Sequence, residues 1–381
     1  MIHDPARLRE RLIQLTRDLV LIESTHDLPE ERRRCFQLLR NHLDEVPGLE
    51  LRTVRNDGFE SLIALPEGVA APDVLFCGHL DVVKHLSPGS YRSEIRDGRI
   101  FGPGTGDMKG QLAIMVELIR RLNRDAPGIS VGLAVSSDEE LGGEHGVRFL
   151  VEEIGLRCGV AVIPDGGSLH DVTAEEKGIM HLRLEAAGVS AHAARPWHGV
   201  NALDRLLDGL ARIREPFAAL RPERFSEEGS HWFPTCTPTI ITTANDSANR
   251  IPGRAAAVID VRFVPPARSA DLLGELRALL GEGLSLEPIV VAEPSHLDPD
   301  PRFLEIVAEV TGSPARLNQA SGGSDGRFFA AVGISVLLSR PQVGNLHGRD
   351  EWIEIESMMF YFEICRRYAM EKCAAARPPS A

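Results

Sequence analysis

The sequence predicts an α/β protein: a mostly parallel sheet domain, split in two along the chain, with a smaller α+β lid inserted between the parts. Three observations predict it. Apolar runs and amphipathic helical periods alternate as far as Asp165, the rhythm changes to half-exposed strands after Lys177-Gly178, and helix and strand alternate again from about residue 300. Strands that alternate with helices make a parallel sheet covered on both faces. The expected division is 1–177 and 293–381 for the main domain and 178–292 for the lid.

Taken in order, Leu8, Leu12, Leu15, Leu19 and Ile22 repeat at helical spacing and predict a helix over 6–24. Pro29 in a first turn predicts a second helix, to about Asp44. Apolar runs at 50–54, 61–65 and 73–78 follow. Gly102-Pro103-Gly104-Thr105-Gly106 is a loop, after which Asp107 can cap a helix through about Leu122. A strand over 129–135 leaves through Ser136-Ser137-Asp138-Glu139-Glu140-Leu141-Gly142-Gly143. A helix over 145–154 then leads to a strand at 159–163 that ends in Pro164-Asp165-Gly166-Gly167.

In the lid, Ile179, His181 and Arg183 alternate with Met180, Leu182 and Leu184, a half-exposed strand over 179–187. A helix at 200–214, strands at 237–243 and 255–264, a helix at 268–281 and a strand at 286–292 complete the order βαββαβ. That order fits a small antiparallel sheet with two helices on one face. Beyond the lid come a helix at 301–311, a loop at 321–326, a strand at 334–338 and a closing helix at 355–373. The tail 374–381 reads as disordered.

With 381 residues the chain exceeds the usual limit of one core, in keeping with two domains. Hydrophobic residues at 43% and charged ones at 25% are ordinary for a soluble globular protein. A net charge of -13 without a Lys/Arg block argues against nucleic acid as a partner. Met1-Ile2-His3-Asp4-Pro5 leads into a charged amphipathic segment rather than a signal peptide, and no apolar run is long enough to span a bilayer. The six cysteines are scattered without a Cys-x-x-Cys pair, which points to a reduced cytoplasm rather than a disulfide framework or a thiolate zinc site.

The chemistry begins at His79-Leu80-Asp81, where an apolar run ends. Residues i and i+2 of an extended chain face the same side. A carboxylate that takes the proton of one ring nitrogen leaves the other free for a metal. Alone, the pair reads equally well as a strand end facing water. Ligands of open α/β sheets bind at the carboxyl ends of the strands. Asp81, Glu139, Glu140 and Asp165 all fall there, and Asp107 follows the glycine loop. Singly, Asp107 is a helix cap, the glutamates a solvated loop and Asp165 a turn former. Gathered at one edge, they repel one another unless cations neutralise them.

His347, in a glycine-containing loop after the strand at 334–338, supplies a second imidazole. His79, Asp107, Glu140, Asp165 and His347 suit two zinc-type ions. Two such ions ~3.5–4 Å apart polarise a carbonyl and generate hydroxide near neutral pH. Adjacent side chains diverge, so one of Glu139 and Glu140 is expected to ligate and the other to act as base.

His79-Leu80-Asp81, Gly106-Asp107-Met108-Lys109-Gly110, Asp138-Glu139-Glu140 with Gly142-Gly143, Asp165 and Asn345-Leu346-His347 share their order with one known family. Over nearly its whole length, lid included, the chain resembles the dinuclear-zinc peptidase and deacylase family. That family includes succinyl-diaminopimelate desuccinylase, acetylornithine deacetylase, aminoacylase and glutamate carboxypeptidase. The resemblance implies a di-metal catalytic domain and a lid that serves in dimerisation. It implies His79 and Asp165 on one ion, Glu140 and His347 on the other, and Asp107 bridging. It further implies Glu139 as general base, Asp81 as the partner that orients His79, and a cis peptide at Asp107-Met108.

In the lid, Ser190-Ala191-His192-Ala193-Ala194-Arg195-Pro196 resembles the segment whose histidine crosses a dimer to help stabilise the oxyanion. Without the family, His192 reads as a strand-edge histidine. Asn249-Arg250-Ile251-Pro252 and Arg262 look like the lid's substrate-binding asparagine and arginine. Gly323 and Ser324, within Gly322-Gly323-Ser324-Asp325-Gly326-Arg327, can form a backbone nest for a carboxylate, or a plain turn before a helix. That loop, with Arg327-Phe328-Phe329, looks most like the desuccinylase branch. Asp165 in place of glutamate, and Glu175-Glu176-Lys177-Gly178 without that branch's arginine, depart from it.

The activity so implied is hydrolysis of the amide bond of an N-acyl amino acid or small peptide with a free carboxylate. Metal-bound hydroxide attacks and Glu139 moves the proton. The cofactors implied are two divalent ions, zinc first, with cobalt or manganese as alternatives. The partners implied are a small-molecule substrate and a second copy of the chain. The alternatives are an aminopeptidase, carboxypeptidase or dipeptidase of the same family and, in another class, a non-catalytic homologue that binds metal or ligand.

Overall fold

The computed structural model describes residues 4–85, 90–218, 220 and 231–376. The chain divides into two compact units. The first comprises Met1–Ala174, His296–Asn318 and Ser324–Ala381, and the second Glu175–Ser295 and Gln319–Gly323. Among the described residues no helix is long and apolar enough to cross a membrane.

The first unit is built on a mixed sheet with a parallel centre. Val131–Ser136, Val74–His79, Val160–Ile163 and Ser335–Leu338 lie side by side and parallel. Phe59–Pro66 and Leu49–Asn56 extend it antiparallel beyond Val131–Ser136, and Asp171–Glu176 pairs antiparallel with Ser335–Leu338. Every residue of Val74–His79, Val131–Ser136 and Val160–Ile163 is buried, which is why these strands read as unbroken apolar runs.

Alternate side chains enter different cores. Val74 and Phe76 join the helices Pro5–Val20, Pro29–Leu43, Gly110–Asp125, Pro301–Thr311 and Ile355–Ala376 through Leu15, Leu39, Met115, Phe303 and Phe362. Leu75 and Cys77 pack with Val147, Leu150, Phe328 and Phe329 from the short helices Val147–Glu152 and Gly326–Ala331. The first helix starts as its sequence dictates, with Pro5 at the first turn and Asp4 Oδ1 accepting the Arg7 N–H at 3.0 Å.

Three differences from the sequence reading bear on the site. The helix after the glycine loop begins at Gly110, so Asp107 does not cap it. Thr105–Lys109 forms a separate wide turn in which Asp107 and Met108 have non-helical backbone; the cis peptide bond between them is the one the resemblance implies. The closing helix continues to Ala376, so 374–376, expected to be disordered, are helical; the rest of that tail and Met1-Ile2-His3 lie outside the described residues. A second, small antiparallel sheet also appears, ordered Val343–Gly344, Trp352–Glu354, Arg99–Phe101 and Glu94–Arg96.

The second unit is the βαββαβ body. Gly178–Ala187, Thr235–Thr243, Arg254–Phe263 and Leu284–Ala292 form an antiparallel sheet. Met180, Leu182, Leu184, Ile259 and Leu286 pack with Leu206 and Ile213 of the helix Ala202–Ala218 and Leu276 of the helix Ser269–Ala278. Thr235–Thr243 is an edge strand, and its Ile240 and Ile241 are half exposed.

Candidate metal centre

His79 pairs opposite Ser136 and Phe76 opposite Val162, so three parallel strands open their carboxyl ends along one edge. That register delivers the candidate residues. His79 closes its strand and Asp81 follows, the turn Glu139–Leu141 follows Ser136, and Asp165 follows Ile163. Asp107 arrives from the wide turn and His347 from the loop between Val343–Gly344 and Trp352–Glu354. In that loop Asn345 and His347 both hold left-handed backbone, with φ of 54° and 58°. Such a conformation in a non-glycine residue persists only where its surroundings enforce it.

The two oxygens of Asp107 face two different histidines. Oδ1 lies 3.0 Å from His79 Nε2, and Oδ2 lies 3.2 Å from His347 Nε2. Asp165 Oδ2 is 3.9 Å from His79 Nε2, and Glu140 Oε1 is 3.1 Å from His347 Nε2. The ligand-type atoms form two groups, His79 with Glu139 and Asp165, and Asp107 with Glu140 and His347, each within 4.8 Å. The adjacent glutamates therefore part, Glu139 toward one histidine and Glu140 toward the other.

This donor set fits cations better than it fits itself. A ring nitrogen carries at most one proton, yet each Nε2 faces two carboxylate oxygens. Nitrogen and oxygen lone pairs converging from several sides make the inner shell of a zinc-type ion.

The electrostatics agree. Burial alone would lower the His79 pKa, but hydrogen bonds to Asp107 and Asp81 raise it well above the usual range. Burial also works against the Asp107 carboxylate, and the two imidazoles overcome it and hold its pKa far down. Burial, then the Asp107 charge, pushes Asp165 well up. Burial pushes Glu139 well up too, against the pull of His79. Hydrogen bonding to Asp107 and then Glu140 lifts His347 to about 10. Without cations, protons take their place.

Asp81 braces the arrangement from behind. Its main-chain carbonyl lies 3.0 Å from His79 Nδ1, and its carboxylate Oδ1 lies 3.5 Å away. The carboxylate instead accepts the N–H groups of Glu139 at 3.3 Å and Glu140 at 3.0 Å. The sequence reading gives the ring proton to the carboxylate; the shorter contact is to the carbonyl, because the turn engages the carboxylate.

Glu351 is the functional residue that sequence reasoning missed. It is 1% exposed, and its carboxylate accepts the N–H of Gly104 (3.0 Å), Gly106 (2.7 Å) and Asp107 (2.9 Å). Burial pushes its carboxyl up to about 7. One side chain, four residues beyond His347, thus shapes the turn that carries Asp107. The one signal available was an acid opening the alternating stretch Trp352-Ile353-Glu354-Ile355.

The remaining candidates have partners of their own. In the second unit His192 is exposed, forms a bridge with Arg250, and accepts the Ala194 N–H on Nδ1 at 3.1 Å. Asn249 neighbours it, its carbonyl accepting the Ala193 N–H at 2.7 Å. Arg262 is forked onto Asp260 through Nε and Nη2, both at 2.9 Å. Gly323 belongs to the second unit and Ser324 to the first. Ser324 is 2% exposed and its hydroxyl accepts the Gly326 N–H at 3.1 Å.

The sequence pattern described as "Peptidase family M20/M25/M40" matches residues 75–371. A succinyl-diaminopimelate desuccinylase from Thioalkalivibrio sulfidiphilus is 28% identical over 389 residues, which cover 92% of this chain and 100% of that protein. In fold, the chain is similar to an M20 family metallo-carboxypeptidase from Sulfolobus solfataricus, with a TM-score of 0.77 at 16% identity, covering 96% of this chain and 99% of that one. It is likewise similar to a dinuclear metal binding peptidase of the M20 family from Bacillus subtilis, with a TM-score of 0.64 at 14% identity, covering 96% and 99%.

Proposed function

We propose that this chain, which belongs to peptidase family M20/M25/M40, hydrolyses the amide bond of an N-acyl amino acid or small peptide that carries a free carboxylate. It is a metal-dependent amide hydrolase. The single observation that carries the reading is Asp107, whose two oxygens each face a histidine of a different ligand group. In this reading His79 and Asp165 hold one divalent ion, Glu140 and His347 the other, and Asp107 lies between. Bound ions would polarise the scissile carbonyl and acidify a water. Zinc is the proposed ion, because the donors are imidazole nitrogens and carboxylate oxygens.

Glu139 takes the proton of the attacking water and returns it to the leaving amine. Asp81 keeps His79 and both glutamates aligned. Asn249, Arg262 and the backbone at Gly323 and Ser324 are the proposed substrate contacts. His192 from a second copy of the chain would hold the developing oxyanion, so the enzyme is proposed to work as a homodimer. The half-exposed Ile240 and Ile241 on a strand that ends its sheet among the described residues support pairing between copies. A cytoplasmic location is part of the proposal, supported by six free thiols.

The test is a screen of N-acetyl and N-succinyl amino acids and dipeptides on metal-reconstituted enzyme, alongside Glu139→Ala. Turnover of at least one substrate is expected, with a loss of about 10³-fold or more in the variant while about two ions per chain remain bound. An active Glu139→Ala enzyme would overturn the assignment. Full activity from a monodisperse monomer in light scattering would overturn the dimer.

A further inference from the structure

Arg340 stands just past the end of Ser335–Leu338, whose Leu338 pairs with Ile163 at the end of the neighbouring parallel strand. That register brings its guanidinium to the rim of the metal centre. Nη1 is 3.9 Å from Asp165 Oδ1, beyond hydrogen-bond reach, and the side chain is 17% exposed. Its Nε is buried with no partner among the described residues. A guanidinium carries five donors in a planar fork, and leaving such donors buried and unbonded costs free energy.

Three other cations, Lys109, Arg327 and Arg262, are committed. Lys109 Nζ donates to the Ile22 carbonyl at 2.6 Å. Arg327 donates to the carbonyls of Gly142 at 2.6 Å and Ser324 at 3.1 Å. In the second unit, the fork of Arg262 is filled by Asp260. Nor does neutralising Asp165 explain Arg340. If Asp165 gives its lone pairs to a divalent ion, a guanidinium 3.9 Å away makes no hydrogen bond with it. The open donors of a planar fork call for an acceptor that the described residues do not supply.

We propose that Arg340 binds a carboxylate of the substrate beside the metal centre and so selects anionic substrates. The proposal rests on reading this centre as an amide hydrolase. The planar fork matches a carboxylate in two parallel hydrogen bonds, which a lysine cannot reproduce. The carboxylate can belong to the amino acid or to the acyl group, and substrate chemistry separates these sources.

The experiment compares full-length, metal-loaded enzyme with Arg340→Met and Arg340→Lys on N-acetyl-alanine, N-succinyl-alanine and the carboxamides of both. Arg340→Met is expected to raise KM about 100-fold on substrates with the recognised carboxylate, with kcat and metal content little changed. The loss should be at least tenfold smaller on analogues that lack it, and Arg340→Lys should recover part of the affinity. A loss that follows the carboxamide substitution assigns the amino-acid carboxylate, and one that follows acetyl against succinyl assigns the acyl group. An equal loss on all four, a fall in bound metal, or no loss would each overturn the proposal. Calorimetric binding of succinate and N-acetyl-alanine to wild type and Arg340→Met reads the same contact without turnover. If wild type turns over none of the four, the hydrolase reading fails, and calorimetry alone still decides Arg340: weaker binding by the variant supports it, and equal or absent binding refutes it.

Discussion

The two halves of the candidate metal centre are held in different ways. His79 ends a fully buried strand, is 1% exposed, and has its ring clamped between Asp107 and the Asp81 carbonyl. His347 is 48% exposed, sits on left-handed backbone, and comes from a loop joined to the body by strands of two and three residues. Asp107 has one oxygen on each side. A preorganised half binds its ion without first ordering its ligands, whereas a looser half gives up part of its binding energy to order them. The looser half can also yield when substrate arrives, a useful asymmetry in a hydrolytic centre.

The largest effect that tests this contrast is metal removal. Dialysis against a chelator should abolish turnover, and zinc titration back into the apoprotein should fill two unequal sites. A single class of sites in calorimetry would break the comparison. Next come the histidines. His79→Ala and His347→Ala should each lose about one ion per chain and most activity. Only His79→Ala should also unfold more easily, by about 2 kcal/mol, because it empties a buried site. The exposed His347 should leave urea stability within about 0.5 kcal/mol. Equal destabilisation would show the halves to be equally rigid.

Glu351→Gln sharpens the contrast at its hinge. It keeps the shape but turns a donor toward one of the N–H groups of Gly104, Gly106 and Asp107. Affinity for the ion on the His347 side should fall by about 10- to 100-fold, read by metal titration. Unchanged affinity would leave the turn to hold itself.

The smallest effect lies away from both halves. Asp300 caps the helix Pro301–Thr311 and pairs with Lys372 and Tyr368, both at 2.8 Å. Burial opposes its ionisation, but the Lys372 and Tyr368 hydrogen bonds hold its pKa below 3.8. A carboxyl more acidic folded than unfolded stabilises above the unfolded value, and that contribution fades as pH falls below about 4. Asp300→Asn should cost about 1 kcal/mol at pH 7 and less near pH 3, with zinc titration unchanged.

Legibility in the sequence followed the range of the interactions. His79, Asp107, Glu139, Glu140 and Asp165 could be read because each stands at a strand exit or behind a glycine loop, and parallel pairing gathers all of them but Asp107. The small sheet at Arg99–Phe101 and Trp352–Glu354 could not, since strands of three residues leave no periodicity and pair across about 250 positions. Glu351 was hidden for the same reason: its three partners lie far away in sequence and are backbone N–H groups, which every residue carries. Asp107 looked like a cap because its local setting permits one, and the structure spends its carboxylate on two histidines.

By itself, then, the sequence determined the α/β class, the inserted βαββαβ body and the inventory of ligand-type residues, because these follow from local periodicity and chemical type. The tertiary structure decided how that inventory divides into two groups, which atom of Asp81 meets His79, and that Arg340 stands beside Asp165. Those outcomes depend on register and on competition among distant hydrogen-bond partners, and no short stretch of chain encodes them.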